Sequence, residues 1–173
     1  DVCSSDLGSG GVIFDYDITS NTYTKRIDFN VSTGGQPNGA MTMAPNGKFY
    51  GVAASGGVAN SAGVIYEFDS QTNTYTKKAD MTAASNGRFG YGAMTAASNG
   101  KLYGMTSAGG TSSLGVLFEY VPAATTFSKI VDFAGTTNGS LPYGAVAQST
   151  NGNLYGLTST GGANGVGVLF EYN

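Results

Sequence analysis

The sequence contains no histidine, so carboxylates are the side chains most able to act as general acids or bases. Most of them recur at a fixed interval along the chain. A catalytic group is needed once, whereas a group present in every repeat meets a need common to all repeats. We therefore expect no catalytic residue. One series reads Asp15, Glu67, Glu119 and Glu171, and the other Asp28, Asp80 and Asp132.

The second of these series falls near the end of a predicted strand. We expect its carboxylates to accept hydrogen bonds from backbone or hydroxyl groups. A ring of acidic contacts to a ligand is the alternative.

Residues 15–21 place oxygen-bearing side chains at alternating positions, which would suit Ca²⁺. The segment lacks the glycine and the closing bidentate glutamate of a calcium loop, so an Asx turn explains it better. The absence of histidine also removes the usual zinc ligand. We predict no metal site and no cofactor.

A further group of side chains could bind a ligand. These residues lie in predicted loops and depart from the repeat. Arg88 is close in sequence to Phe89 and Tyr91, and together they could form a planar, stacking contact for a sugar or a peptide. An ordinary solvated loop is the alternative. The predicted ligand-binding residues are Gln36, Arg88, Phe89, Tyr91 and Tyr143.

The elements that must position these side chains repeat every 52 residues, which is typical of propellers and other repeat arrays. Each unit contains four short runs rich in Val, Ile, Thr, Tyr and Phe, separated by Gly, Asn, Ser and Pro, which predicts strands. No run has an apolar period of 3.6, so we expect almost no helix. The segment GVIFDY at 11–16 returns in similar form at 63–68, 115–120 and 167–172, and the strands of the middle unit are predicted at 92–96, 101–106, 115–120 and 126–133.

Asn-Gly pairs separate the first two strands of each unit and predict a two-residue turn of type I′. The first strand is rich in Gly and Ala, which suits the innermost strand of a radial array. The third and fourth strands carry bulk on both faces, as expected when each sheet stacks between two others. These features predict an all-β, β-propeller-like array of four-stranded antiparallel blades.

We divide the chain into an irregular or non-native lead-in at 1–10, which contains the only cysteine, and tandem repeats over 11–173. A closed propeller usually has about four to eight blades, so we expect an incomplete fragment of a larger propeller. Open blade edges would then favour self-association. The repeats are 11–62, 63–114, 115–166 and the start of the next at 167–173.

Strand parity predicts which loops share a face. In an antiparallel blade successive connections alternate between the two ends, so the loop between the second and third strands and the loop between blades lie on one face. Both kinds are long here, and we expect this long-loop face to carry the binding residues. The loops are 55–62, 108–114 and 160–166, and 30–38, 82–91 and 134–143.

The net charge is −3 and only 11% of the residues are charged, so no basic patch favours nucleic acid. No apolar run is long enough to insert into a membrane. The expected partners are extracellular glycans or other surface proteins.

The order of these motifs resembles known repeat families. Paired glycines after the second strand, as at Gly109-Gly110, are similar to kelch repeats, in which Trp usually stands at the positions of Tyr23, Tyr75 and Phe127. The run from Asn153 to Tyr172 is more similar to the GloVer-type tandem repeats of bacterial secreted and surface proteins. That resemblance implies export, surface anchoring and a propeller-like fold, and it brings no catalytic motif.

We therefore expect a non-catalytic binding or structural module of an exported bacterial surface protein, secreted or held at the cell surface. One alternative is a fragment of a propeller enzyme, a glycoside hydrolase or lyase, whose catalytic carboxylates lie in further blades. A passive spacer repeat is another, and it predicts near-identical loops in every copy.

Overall fold

A computed structural model describes residues 10–58 and 62–173 of the chain. Over these residues the regular structure is β throughout, with no helix, as expected. The strands form four antiparallel sheets, each built from consecutive strands. Most of the predicted lead-in, including Cys3, lies outside the described residues.

We number the sheets as blades in chain order. Blades 2 and 3 have four strands each, blade 1 has the two outer strands, and blade 4 has the three inner ones. Each sequence repeat therefore supplies the outer half of one blade and the inner half of the next. Blade 1 contains β1 (Val12–Asp17) and β2 (Thr22–Asp28); blade 2 contains β3 (Thr42–Met43), β4 (Phe49–Ala53), β5 (Val64–Asp69) and β6 (Thr74–Asp80); blade 3 contains β7 (Thr95–Ala96), β8 (Leu102–Thr106), β9 (Val116–Val121) and β10 (Thr126–Asp132); blade 4 contains β11 (Ala147–Gln148), β12 (Leu154–Leu157) and β13 (Leu169–Tyr172).

The innermost strand of blade 3 is shorter than predicted. β7 covers only Thr95–Ala96, although the sequence predicted a strand over 92–96. The preceding residues pack against the neighbouring blade instead of pairing within their own. A Cβ added to Gly39 would lie 2.6 Å from the carbonyl carbon of Gly92, and one added to Gly92 would overlap the carbonyl oxygen of Gly144. Glycine is required at positions 39 and 92 because the backbone of one blade lies against the backbone of the next there.

The hairpins between the first two strands differ from the predicted two-residue type I′ turn. In blade 2, the Gly47 amide donates to the Ala44 carbonyl at 2.9 Å, and only the glycine of the Asn-Gly pair has a positive φ, of 78°. This is a three-residue loop, a type I turn followed by a left-handed glycine. The Asn46 side chain accepts a hydrogen bond from the Lys48 amide at 3.1 Å and donates one to the Tyr50 hydroxyl at 2.9 Å. It therefore closes the loop without the positive φ that a type I′ turn would require of Asn46.

The core lies between blades, as the bulk on both strand faces predicted. Tyr50 of blade 2 packs on Tyr120 of blade 3, with ring centroids 5.8 Å apart. Phe133, which follows β10, packs edge-on against Phe170 of blade 4 at 5.3 Å. Sheets that stack face to face in series, with their shortest strands innermost, form a β-propeller-like array.

Candidate binding site

The two kinds of long loop meet on one face of the array, as strand parity predicted. Arg88, in the loop that joins blades 2 and 3, forms a β-bridge with Ala108, in the loop that follows β8. The equivalent bridges join Gly35 to Ser55 and Ser140 to Thr160. We call this surface the long-loop face.

A pair of residues in each inter-blade loop is held by the same backbone hydrogen bonds. In the pair Arg88–Phe89, the Arg88 amide donates to the Ala108 carbonyl at 2.8 Å, and the Ala108 amide donates to the Arg88 carbonyl at 3.2 Å. The Phe89 amide donates to the Ala62 carbonyl at 3.1 Å, and the Ser107 amide donates to the Phe89 carbonyl at 3.1 Å. We call this arrangement the display scaffold.

The scaffold occurs three times with different side chains. The second residue of each pair has a left-handed backbone, which favours glycine, yet none of the three is glycine: the φ values are 56° for Gln36, 59° for Phe89 and 53° for Leu141. Such residues persist where surrounding contacts fix the backbone, and they cluster at ligand-binding sites. The three pairs are Gly35–Gln36, Arg88–Phe89 and Ser140–Leu141.

The middle scaffold presents a cation on an aromatic ring. The guanidinium carbon of Arg88 lies 4.9 Å from the centroid of the Phe89 ring. This distance is within the range of a cation–π contact, and among the described residues no hydrogen bond or ion pair engages the guanidinium N–H groups.

Two further rings continue from Phe89 across a blade boundary. The Tyr91 ring is stacked on that of Phe89 with centroids 6.4 Å apart, and it lies 5.7 Å from the ring of Tyr143 in the next inter-blade loop. Tyr143 is 52% exposed. We call Phe89, Tyr91 and Tyr143 the aromatic row.

Four of the five predicted site residues therefore lie together: Arg88 and the three members of the aromatic row. Gln36 does not join them, since it occupies the first display scaffold, where Asn38 stands at the position of Tyr91. The sequence interpretation that all five break the repeat was wrong for the tyrosines. Counted from the Gly-Ala pair that follows each loop, Tyr91 and Tyr143 are equivalent, and so are Gln36, Phe89 and Leu141.

Two of the three repeated aspartates of the fourth strand, Asp132 and Asp80, accept the predicted backbone or hydroxyl hydrogen bonds, whereas the third, Asp28, pairs with Lys25. Asp132 accepts hydrogen bonds from the Thr111 amide at 2.8 Å and from the Thr111 hydroxyl at 3.0 Å, and it pairs with Lys129 at 2.7 Å. Partial burial opposes ionisation of this carboxyl, but the Lys129 and Thr111 bonds outweigh it and hold its pKa below the usual value. Asp80 likewise accepts the Val58 amide and pairs with Lys77. These contacts fasten the loop after the second strand to the outer strand.

The segment that could have been a calcium loop forms an Asx turn, as expected. The Asp17 carboxylate accepts the amides of Thr19 at 2.8 Å and Ser20 at 3.3 Å, which lowers its pKa. Asp69 accepts the amides of Gln71 and Thr72 in the same way. Within residues 10–58 and 62–173, no three His, Cys, Asp or Glu side chains lie close enough to hold a metal.

Glu67 lies apart from this face, between blades 2 and 3, where it is 8% exposed. It accepts a hydrogen bond from the Tyr50 hydroxyl and lies 3.2 Å from Lys48 and 3.6 Å from Lys78. Burial opposes its ionisation, but the Tyr50 and Lys48 bonds prevail and lower its pKa. Burial also raises the pKa of the neighbouring Tyr120 to about 12.

No helix among the described residues is long and apolar enough to span a membrane. No curated protein matches the chain. Residues 4–173 match the family described as the Gloeobacter/Verrucomicrobia repeat.

Solved structures of similar fold share little sequence with the chain. An extracellular domain of a one-component system from B. thetaiotaomicron has 13% identity and a TM-score of 0.61, over 94% of this chain and 18% of that one. A periplasmic gluconolactonase from Pseudomonas aeruginosa has 12% identity and a TM-score of 0.54, over 89% and 44%. TolB from Acinetobacter baumannii has 13% identity and a TM-score of 0.53, over 91% and 37%. The chain spans less than half the length of each of these proteins.

Proposed function

The chain belongs to the Gloeobacter/Verrucomicrobia repeat family, and we propose that it is a non-catalytic binding module of an exported bacterial protein that holds a glycan on the long-loop face. The observation that carries the proposal is the aromatic row, which places three rings side by side. Rings of this kind offer large, rigid contact areas at low entropic cost and suit the apolar face of a sugar.

The display scaffold that positions Phe89 favours a role in ligand recognition over a role as a passive spacer. A spacer would present the same side chains in every copy, whereas the display scaffold holds one backbone and presents three different pairs. Rigid backbone with variable side chains is typical of binding loops. The left-handed φ of Phe89 is fixed by hydrogen bonds on both its amide and its carbonyl, so its ring is positioned before a ligand arrives.

Two observations support the remaining parts of the proposal. The described carboxylates are engaged in ion pairs, hydrogen bonds and turns, which favours binding over acid–base chemistry in this part of the chain. Export is supported by the similar fold of extracellular and periplasmic proteins.

A glycan array probed with the labelled full chain tests this function. We expect binding to one or more polysaccharides, and a loss of about tenfold in affinity for Tyr143→Ala, since one stacked ring contributes on the order of 1 kcal/mol or more. Tyr143→Phe keeps the ring and is expected to retain most of the affinity. Tyr23→Ala is the matched control, because Tyr23 is 54% exposed but belongs to the outer strand of blade 1. Equal loss in both alanine variants, or no binding on the array, would contradict the proposal.

A further inference from the structure

We infer that the long-loop face selects an anionic glycan, one that carries carboxylate or sulfate groups, and that Arg88 binds the anion. The inference rests on the proposed function and names the chemistry of its ligand. It comes from the guanidinium of Arg88, which lies over the Phe89 ring and has no carboxylate partner among the described residues.

The other seven cations of the chain all have carboxylate partners. Arg26, for example, lies 2.5 Å from Asp15, and Lys101 lies 2.9 Å from Glu119. The remaining pairs join Lys25 to Asp28, Lys48 to Glu67 and Asp69, Lys77 to Asp80, Lys78 to Glu67, and Lys129 to Asp132.

Arg88 is the exception among the described residues, since no ion pair and no side-chain hydrogen bond involves its guanidinium, which lies over the Phe89 ring. The carboxylate side chains outside these residues are those of Asp1 and Asp6. In a chain of net charge −3 that pairs its other cations, an exposed arginine without a carboxylate can accept an anion without breaking an existing contact.

The position of Arg88 also directs the anion toward the rings. Its backbone is fixed by two hydrogen bonds to Ala108, and its guanidinium is held over the first ring of the aromatic row. The planar guanidinium binds a carboxylate or a sulfate through two parallel N–H bonds. A sugar whose ring stacks on Tyr91 or Tyr143 would thus present an attached anionic group to Arg88, which combines shape and charge in one site.

The test compares a charged sugar with its uncharged ester on the full chain. By isothermal titration calorimetry at pH 7 we expect an oligogalacturonide to bind about tenfold more tightly than its fully methyl-esterified form. Arg88→Gln should lower the affinity for the acid to that for the ester, so that the tenfold preference is lost. Arg26→Gln, which removes the other arginine, should change neither. Tyr143→Ala should weaken both ligands equally.

A second pair of probes, dextran sulfate and dextran, distinguishes sulfate from carboxylate as the preferred anion. Equal affinity of the wild type for charged and neutral forms in both pairs would overturn the anionic inference and leave the glycan-binding function standing. A charge preference that survives in Arg88→Gln would also overturn it. Binding of poly-glutamate but of no saccharide would reject the glycan function itself in favour of an acidic protein partner.

Discussion

The hydroxyl of Tyr50 donates a hydrogen bond to the carboxylate of Glu67, and both side chains are buried where blades 2 and 3 meet. The same strand position holds Glu119 in blade 3 and Glu171 in blade 4, but each is less enclosed. Glu119 pairs with Lys101, and the exposed Glu171 accepts a hydrogen bond from the Asn153 side chain. One repeat position therefore offers three levels of burial.

Substitution of these glutamates by glutamine is expected to destabilise the fold in the order of burial. Glu67→Gln removes the charge that two lysines and Tyr50 face, and should lower the free energy of unfolding by about 1–3 kcal/mol. Glu171→Gln should cost less than about 0.5 kcal/mol, as at most exposed sites. Urea denaturation followed by circular dichroism measures both. An equal decrease in the free energy of unfolding in the two variants would show that the buried contacts of Glu67 do not stabilise the fold.

Stability is expected to fall in acid. The folded-state pKa values of Glu67 and Asp132 lie below their ordinary values of 4.5 and 3.8, so the unfolded chain binds more protons as the pH drops. Their contribution is complete above the ordinary values and is lost as the pH falls through the folded values. The urea midpoint should therefore decrease between about pH 5 and pH 3. Glu67→Gln should flatten this dependence; an unchanged slope in this variant would show that Glu67 does not cause the loss of stability in acid.

The glycines that line successive inter-blade segments provide a matched test of blade contact. Gly92→Ala places a methyl group against the carbonyl of Gly144, and should cost about 1–3 kcal/mol because neighbouring backbone must move. Gly144→Ala is the control, since a Cβ there meets nothing within 4 Å. Thermal unfolding of the two variants should differ by several degrees. Similar thermal midpoints for the two variants would contradict a close backbone contact between blades at Gly92.

Residues 1–173, produced without any further blades, are expected to self-associate. The described part of blade 4 ends at β13, whose Leu169 is 70% exposed, and the adjacent Leu157 on β12 is 64% exposed. A strand edge with apolar neighbours pairs readily with another chain. Multi-angle light scattering should detect oligomers, and Leu169→Lys should reduce them. Val31→Lys, at a loop position that is 83% exposed, should have no effect. A monodisperse monomer of the unaltered chain would contradict the expectation.

The sequence predicted the strands, their order in each blade and the shared face of the long loops, because these depend on local periodicity and on strand parity. It did not predict the turn type. Asn46 was expected to adopt a left-handed backbone, but its side chain bonds to Lys48 and Tyr50 and favours a longer loop. A repeat pattern shows which residue types recur at each position, but it does not show hydrogen bonds between the side chains of different positions.

The site was predicted in part for a similar reason. Arg88 and Phe89 were identified because they are adjacent in sequence, whereas the contact between Tyr91 and Tyr143 depends on the packing of two blades. Their equivalence is obscured because the spacing between successive display scaffolds changes by one residue, from Gln36 to Phe89 and from Phe89 to Leu141. That Arg88 has no carboxylate partner within residues 10–58 and 62–173 can be recognised only from the positions of the other charged side chains there.

In the display scaffold, the backbone hydrogen bonds are the same in all three copies, whereas the side chains presented differ. Most of the scaffold's hydrogen bonds join main-chain atoms, so they place few demands on the residues presented. The exceptions are the hydroxyls of Ser107, Ser159 and Thr160, which donate to scaffold carbonyls, and the hydrogen bond between the side chains of Ser140 and Thr160. Point substitution at these positions can change recognition without remodelling a loop. Because each sequence repeat carries one such pair, exchanging one repeat for another transfers a pair of presented side chains to a different loop, and a designer could graft new pairs in the same way.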